Sequence, residues 1–254
     1  MKFSTYCLLI SVPVVSAFGL AGCGGGDTQD RLDVADPAVR FVHASPLAPR
    51  VTLYRDTVGQ ADVTNVAYKF ASNYFDVETR VSQWAVKTAQ FGAAIGDISI
   101  DAKRGNKYTI VVLPSSNTDN SIYEIRDPYN KSLTSDKAKL RIMNASFNAG
   151  NVDLYINALG TDITAASVTP VIASTAYKTS GPATGNDSLD IESGNYKIAI
   201  TAGGTKIVLF QGSISIEKNK DILLLTVPSS ILPGAIKTLM KVEGVAGTTE
   251  LPAM

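Results

Sequence analysis

The 254-residue chain has little of the chemistry on which most catalytic and metal sites depend. It contains one histidine, two cysteines and one tryptophan, and its 23 basic residues balance its 23 acidic residues. A single histidine excludes the usual zinc sites built from several histidine and cysteine ligands. The lack of a charge excess and of a long basic run argues against nucleic acid as a partner. We therefore expect no bound metal and no cofactor.

The first 22 residues are typical of a lipoprotein signal peptide. Lys2 precedes an apolar stretch, residues 6–21, that contains Pro13 and is shorter than the roughly 20 apolar residues of a bilayer span. The stretch runs into LAGC, ending at Cys23, which resembles the bacterial lipobox. This resemblance implies cleavage before Cys23 and a lipid on its thiol, which would anchor the protein to a membrane. An ordinary secretory peptide is the alternative.

Residues 23–37 form the lipidated N-terminus and a flexible tether in this interpretation, because they are rich in glycine and polar residues. Cys7 would be removed with the signal peptide and Cys23 capped, so the mature chain would have no disulfide and would fold through an apolar core. Gly24 follows the cysteine, so there is no aspartate at this position to indicate retention at the inner membrane. We therefore expect anchoring in the bacterial cell envelope, at the outer membrane of a Gram-negative cell.

The chain repeats itself. VRFVHASPLAPRVTLY, residues 39–54, returns as LRIMNASFNAGNVDLY, residues 140–155. Three shorter matches follow in the same order: AYK (67–69 and 176–178), FDVE with LDIE (75–78 and 189–192), and ISID with ISIE (98–101 and 214–217). Matches in one order at similar spacing predict a duplicated domain.

Both copies show the alternation of short β-strands. In VTLY, Val51 and Leu53 share one face, and Thr52 and Tyr54 share the other. KYTIVVLP and DILLLTVP are continuous apolar runs, which are typical of strands buried on both sides. The pattern predicts an all-β protein with two tandem antiparallel Ig-like β-sandwich domains, residues 38–128 and 137–245, after the signal peptide 1–22 and the tether 23–37.

The opening segment of each copy resembles the signature of a bacterial family, domain of unknown function 4397. That signature reads V-R-[FV]-[VL]-[HN]-A-S-P, then after a few residues V-D-[VL]-[YF]. The first copy departs from it at Thr52, where the family usually has Asp, and the second copy departs at Phe147, where Pro is usual. The resemblance implies an extracytoplasmic protein, often a lipoprotein and often with tandem copies. It implies no known reaction, so no catalytic residue is carried over.

His43, the only histidine, is the obvious candidate for a general base beside Ser45. The second copy, however, has Asn144 at the matched position, and an amide cannot act as a base. Histidine and asparagine can both donate a hydrogen bond to a loop carbonyl at a strand end. We therefore favour a structural role for His43 and expect no catalytic residue.

Paired carboxylates also recur, as Asp76 with Glu78 and as Asp190 with Glu192. Two carboxylates in one cleft could act as acid and base, but a spacing of two residues on a strand is more typical of a solvated sheet face. The aromatic segment 67–91 offers Tyr68 and Tyr74 as candidate ligand contacts, and Tyr177 repeats Tyr68.

These observations favour an envelope-anchored lipoprotein whose two β-sandwich modules bind an envelope protein or a glycan, or hold a position, without catalysis. Two alternatives stay open. The first is a hydrolase of cell-envelope material that uses the recurring carboxylates, and the second is an accessory component of a surface or secretion complex.

Overall fold

The computed structural model describes residues 36–115, 120–129, 131–132 and 134–254. The described chain is all-β, as the sequence predicted, with one short 3-10 turn at Ala61–Val63. The signal peptide, Cys23 and nearly all of the tether lie outside the described residues. The strands, in chain order, are β1 (Ala38–His43), β2 (Val51–Arg55), β3 (Val58–Gly59), β4 (Phe75–Asp76), β5 (Val81–Thr88), β6 (Ala94–Asp101), β7 (Asn106–Pro114), β8 (Asn120–Pro128), β9 (Lys137–Asn144), β10 (Val152–Ala158), β11 (Ile172–Thr175), β12 (Thr179–Gly181), β13 (Leu189–Glu192), β14 (Gly194–Ala202), β15 (Val208–Ile216), β16 (Asp221–Pro228), β17 (Ile236–Val242) and β18 (Thr249–Glu250).

Strands β1–β8 form two four-stranded sheets in the first half of the chain. We call β4-β1-β7-β8 the first inner sheet and β3-β2-β5-β6 the first outer sheet. All pairs in these sheets are antiparallel except β1 with β7, which run parallel. Side chains from both sheets, including Phe41, Leu53, Trp84 and Ile110, fill one apolar cluster between them. This arrangement is a β-sandwich.

The second half repeats the arrangement. The second inner sheet has the order β12-β9-β16-β17-β18, with β13 also paired to β9, and the second outer sheet has the order β11-β10-β14-β15. Here the parallel pair is β9 with β16, the counterparts of β1 and β7. A second apolar cluster, which includes Leu140, Leu154, Ile198 and Leu224, fills the space between the sheets.

The register of the strand pairs is the same in both halves. Ala38 lies opposite Lys107 in the parallel pair of the first half, and Lys139 lies opposite Asp221 in the second. One of the matches made from sequence is wrong by two residues. In the first half, Ile98 lies opposite Trp84. The counterpart of Trp84 in the second half is Ile198, and the residue opposite Ile198 is Gly212. Gly212 lies two residues before Ile214, which the sequence match aligned with Ile98. ISID and ISIE look alike because both obey the alternation of a strand, and that alternation repeats every two residues.

The two inner sheets pack face to face. A third apolar cluster joins β1, β7 and β8 to β9, β16 and β17, with Val111, Leu113, Leu223 and Leu225 among its fully buried members. The layers therefore follow one another as outer, inner, inner, outer. This packing explains the continuous apolar runs in β7 and β16, because successive side chains enter a sandwich core on one face and the shared interface on the other.

Candidate functional site

The repeated sequences VTLY and VDLY place a polar residue and a tyrosine on the outer face of each outer sheet. Val51 and Leu53 belong to the first core, so Thr52 and Tyr54, which alternate with them, point away from it. In both halves, loops rise beside this face and form the walls of an open groove. The two grooves therefore lie at equivalent places, one in each half of the molecule.

The groove of the first half has a volume of about 820 Å³. Strands β2 and β3 and the loops before β2, after the 3-10 turn and after β5 provide its walls. Its lining residues are Pro49, Arg50, Thr52, Tyr54, Gly59, Thr64, Asn65, Ala89 and Gln90. This set combines one aromatic ring with hydroxyls, amides and one guanidinium, and it contains no carboxylate.

Tyr54 is half-buried, and its ring has two different neighbours. The Nζ atom of Lys87 lies 5.0 Å from the ring centroid, within the range of a cation–π contact. Gly59 pairs with Tyr54 across β2 and β3, and a Cβ atom at Gly59 would lie 3.6 Å from Cε1 of Tyr54. A larger side chain at Gly59 would therefore cover the ring edge that the groove now leaves open.

The groove of the second half has a volume of about 650 Å³ and a different character. The longer loop between β10 and β11 folds over its tyrosine, so that Tyr155 is only 3% exposed and packs against Ile163 and Val168. Lys206 holds this loop, because its Nζ donates a hydrogen bond to the carbonyl of Val168 while lying 4.5 Å from the ring centroid of Tyr155. The second tyrosine is thus enclosed by its own chain.

Thr52 and Asp153 play the same part in shaping the two grooves. The Thr52 hydroxyl accepts a hydrogen bond from the amide of Asn65 at 3.1 Å, and Asp153 Oδ1 accepts one from the amide of Ser174 at 2.6 Å. Asn65 and Ser174 both adopt a left-handed backbone, with φ of 54° and 53°. Asp153 also accepts from the amide of Gly204 at 2.8 Å. Both of its oxygens are therefore engaged by backbone.

His43 is fully buried at the end of β1, and its Nε2 atom lies 3.1 Å from the carbonyl oxygen of Pro49. Asn144 makes the matching contact at the end of β9, where its amide donates to the carbonyl of Gly150 at 2.7 Å. Burial lowers the pKa of His43 and so favours the neutral ring. The hydrogen bond predicted from the pairing of histidine with asparagine is confirmed.

Of the three candidate ligand contacts, Tyr68 and Tyr177 face the interface between the halves. Both are half-buried and pack against the third apolar cluster. The ring of Tyr68 also meets that of His43 edge to face, and the hydroxyl of Tyr177 donates to the carbonyl of Pro114. Burial raises the pKa of each tyrosine to about 12.

Tyr74, the third candidate, lines an enclosed cavity of about 10 Å³ between the inner sheets, which has room for one water. The guanidinium of Arg40 and the ammonium of Lys107 lie 4.6 Å and 4.7 Å from its ring centroid, and burial raises its pKa. A ligand role for the three tyrosines stays a prediction, but their contacts are with the protein itself.

The cavity belongs to a charged network that ties the halves together. Lys107 of β7 forms an ion pair with Glu243 at 3.1 Å, and Lys131 reaches the same carboxylate at 2.5 Å. Arg141 of β9 pairs with Asp127 of β8 at 3.3 Å. Lys131 lies between β8 and β9, so these pairs join one half to the other or to the segment that connects them. They therefore stabilise the position of one sandwich on its neighbour.

The recurring carboxylates lie in or just after the short strands β4 and β13. Glu78 is exposed and pairs with Arg80 at 2.7 Å, while Asp190 and Glu192 pair with Lys139 and Lys137. Asp76 is also exposed. This is the solvated sheet face that the spacing favoured, and it gives no support to a hydrolase built on these acids.

Within the described residues 36–115, 120–129, 131–132 and 134–254, no group of three or more histidine, cysteine, aspartate or glutamate side chains is arranged to hold a metal ion. Among the same residues, no helix is long and apolar enough to cross a membrane. Lipidation at Cys23 stays a prediction, since that residue lies outside them.

Sequence reasoning missed the grooves, although it placed Thr52 and Tyr54 together on one face of their strand. It did not single out Tyr54 or Tyr155 as candidate contacts. Tyr155 is enclosed by its loop, whereas Tyr54 is half-buried at its groove. The sequence feature that could have indicated the first groove is the alternation in VTLY, which puts Thr52 and Tyr54 on the face opposite the core.

Comparison with known proteins extends the family resemblance. Residues 37–155 match the family model described as Domain of unknown function (DUF4397). The chain resembles this family. The matched segment covers the first half and continues through β9 and into β10, so it includes both VTLY and VDLY. No curated protein matches the chain.

Solved structures show only a distant likeness. Family 41 carbohydrate-binding modules from streptococcal virulence factors, described for alpha-glucan recognition, are 11% identical over 74% of this chain and 92% of theirs, with a TM-score of 0.24. The family 26 module CBMbc of Eubacterium rectale Amy13K, solved with maltoheptaose, is 9% identical over 85% and 96%, with a TM-score of 0.23. At these TM-scores the likeness carries no argument about a ligand.

Proposed function

We propose that this protein is a non-enzymatic binding protein of the bacterial cell envelope that holds a glycan in the groove of its first half. The observation that carries the proposal is the half-buried ring of Tyr54 at the centre of an open groove lined by hydroxyl, amide and guanidinium groups. Concave sites with an aromatic surface and a few convergent polar groups are the usual form of small-molecule sites.

The position of the groove favours a glycan over a peptide. Peptides commonly bind to β proteins by adding a strand to a sheet edge. This groove opens on the face of the sheet, where the main-chain groups of β2 are already paired with β3 and β5. Side chains therefore provide most of the contacts, and the part of the Tyr54 ring that Lys87 does not cover offers an apolar surface to a sugar ring.

A lipid at Cys23 would hold the protein at a membrane, at the outer membrane in a Gram-negative cell. The sequence LAGC and the glycine-rich residues that follow support this part of the proposal. A Cys23→Ser variant should be released from membranes or accumulate as precursor. Mass spectrometry that finds an unmodified N-terminus beyond Cys23 would refute the anchor and leave the groove untouched.

The binding proposal is tested by screening the full-length protein, purified from membranes in detergent, against an array of glycans and then by calorimetry. Tyr54→Ala should abolish binding, whereas Tyr54→Phe, which keeps the ring, should retain it. Gly59→Leu should block the groove without removing any contact. Binding that survives both Tyr54→Ala and Gly59→Leu would place the site elsewhere.

A further inference from the structure

We infer that the groove of the first half selects glycans that carry anionic groups, either carboxylates or sulfates. This inference rests on the proposed function and names the class of ligand. Arg50 is the only charged residue among those that line the groove. The ammonium group of Lys87, held over the ring of Tyr54, adds a second positive charge beside it.

Arg50 is available to a ligand. Its backbone carbonyl accepts a hydrogen bond from the amide of Ala89 at 2.8 Å, which fixes the loop, while the residue is exposed. Within the described residues its guanidinium forms no ion pair. An arginine fixed at the backbone and unpaired at its end can bind a carboxylate or a sulfate through two parallel hydrogen bonds.

The groove of the second half has no counterpart of the Arg50 charge. Asn151 replaces Arg50 at the matched position, and Asp153 replaces Thr52. Both differences make the first groove more positive than the second. Thr52 accepts the amide of Asn65 as Asp153 Oδ1 accepts that of Ser174, so the first groove has the equivalent loop contact without a carboxylate that would repel an anion.

The two halves also provide variants that should fold. Arg50→Asn and Thr52→Asp each introduce the residue found at the matched position of the second half. An aspartate at position 52 can accept the amide of Asn65, as Asp153 accepts that of Ser174. Arg50→Asn, at an exposed position, therefore changes the charge of the groove with little change in its shape. Thr52→Asp adds a carboxylate at a buried position that has no counterpart of the Gly204 contact of Asp153, so thermal unfolding is used to confirm that this variant folds. Lys218→Gln, at an exposed lysine outside both grooves, serves as the charge control.

The experiment is isothermal titration of the full-length protein in detergent with three oligosaccharides of matched length, one containing uronic acids, one sulfated and one neutral. We expect at least one anionic probe to bind more tightly than the neutral probe. The preference should shrink between about 0.01 M and 1 M salt, as the Debye length falls from about 30 Å to about 3 Å. The two anionic arms distinguish carboxylate from sulfate.

Arg50→Asn should lower the ratio of anionic to neutral affinity about two- to fivefold, the upper part of the range for an exposed charge pair. Thr52→Asp should lower the same ratio, and Lys218→Gln should leave it unchanged. If the neutral probe binds as tightly as the anionic ones through Tyr54 and Arg50→Asn leaves the ratio unchanged, the charge inference is wrong and the proposed function stands. If no glycan binds, or only a peptide binds, the proposed function itself is overturned.

Discussion

Thr52 and Asp153 occupy matched positions in the two halves, and each accepts the backbone amide of a residue in a left-handed conformation. The acceptor is a hydroxyl in one half and a carboxylate in the other, at 3.1 Å and 2.6 Å. A hydroxyl and a carboxylate can therefore both provide the oxygen that this loop contact uses. The first groove has the loop contact without the negative charge.

Removal of these oxygens should destabilise the two halves unequally. Asp153 is 3% exposed and accepts two backbone amides, so Asp153→Ala should lower the free energy of unfolding by about 2–3 kcal/mol. Thr52→Ala removes one neutral hydrogen bond and should cost about 1 kcal/mol. Urea denaturation measures both. Equal losses would show that the second amide contact of Asp153 contributes nothing.

The all-β class and the sandwich architecture could be predicted from the sequence because alternation is a local signal, but the parallel pairs β1–β7 and β9–β16 could not. The alternation in VTLY puts Val51 and Leu53 on one face, and the structure buries both in the first apolar cluster. The runs in β7 and β16 were correctly interpreted as strands buried on both sides. The sequence could not show which sheet packs on the second face of β7 and β16, because a buried face has the same apolar composition whichever sheet covers it.

The grooves were harder to predict because they depend on loops that are distant along the chain. Tyr54 and Tyr155 are identical residues in almost identical sequences. Only the β10–β11 loop, through Ile163 and Val168, makes one of them buried. Side-chain phase indicates which face a residue is on, and contacts with distant loops determine whether it is exposed there.

Truncation should affect stability more at Tyr155 and ligand binding more at Tyr54. Tyr155→Ala removes a buried aromatic side chain and should lower the free energy of unfolding by about 3–5 kcal/mol. Tyr54→Ala removes a half-buried ring and should cost about 1–2 kcal/mol while it abolishes ligand binding. Thermal unfolding and calorimetry report the two effects. A larger loss of stability at Tyr54 would indicate a structural role for its ring.

His43 should make the stability depend on pH. Burial lowers the pKa of its ring below the ordinary value of 6.5, so the unfolded state binds a proton more readily than the folded state does. The contribution of neutral His43 to the free energy of unfolding is fully present above pH 6.5. It should be lost as the pH falls from 6.5 toward the lowered pKa.

His43→Asn tests this dependence, because Asn144 already fills the matched position and donates to the matched loop carbonyl. The variant should fold and should lose less stability than the wild type does between neutral pH and the lowered pKa. Denaturant unfolding at a series of pH values gives the comparison. A variant that follows the wild-type pH profile would exclude His43 as the source.

The shared interface predicts that the two sandwiches unfold together. Trp84, the only tryptophan, is 1% exposed in the first core, so its fluorescence reports the first half alone. Far-UV circular dichroism reports both halves. In the wild type the two signals should change at the same denaturant concentration, which is the test of a single cooperative transition.

Leu225→Asp should separate those two signals. Leu225 is fully buried in the cluster between the inner sheets, and an unpaired carboxylate there costs several kcal/mol, whereas its neighbour Leu224 enters the second core. The first sandwich keeps its own core and should unfold separately, with Trp84 fluorescence lagging behind the loss of circular dichroism. Leu225→Ile keeps the interface apolar and should preserve a single transition. Signals that stay coincident in Leu225→Asp would show that the halves are coupled by the charged network around Glu243 and not by apolar packing.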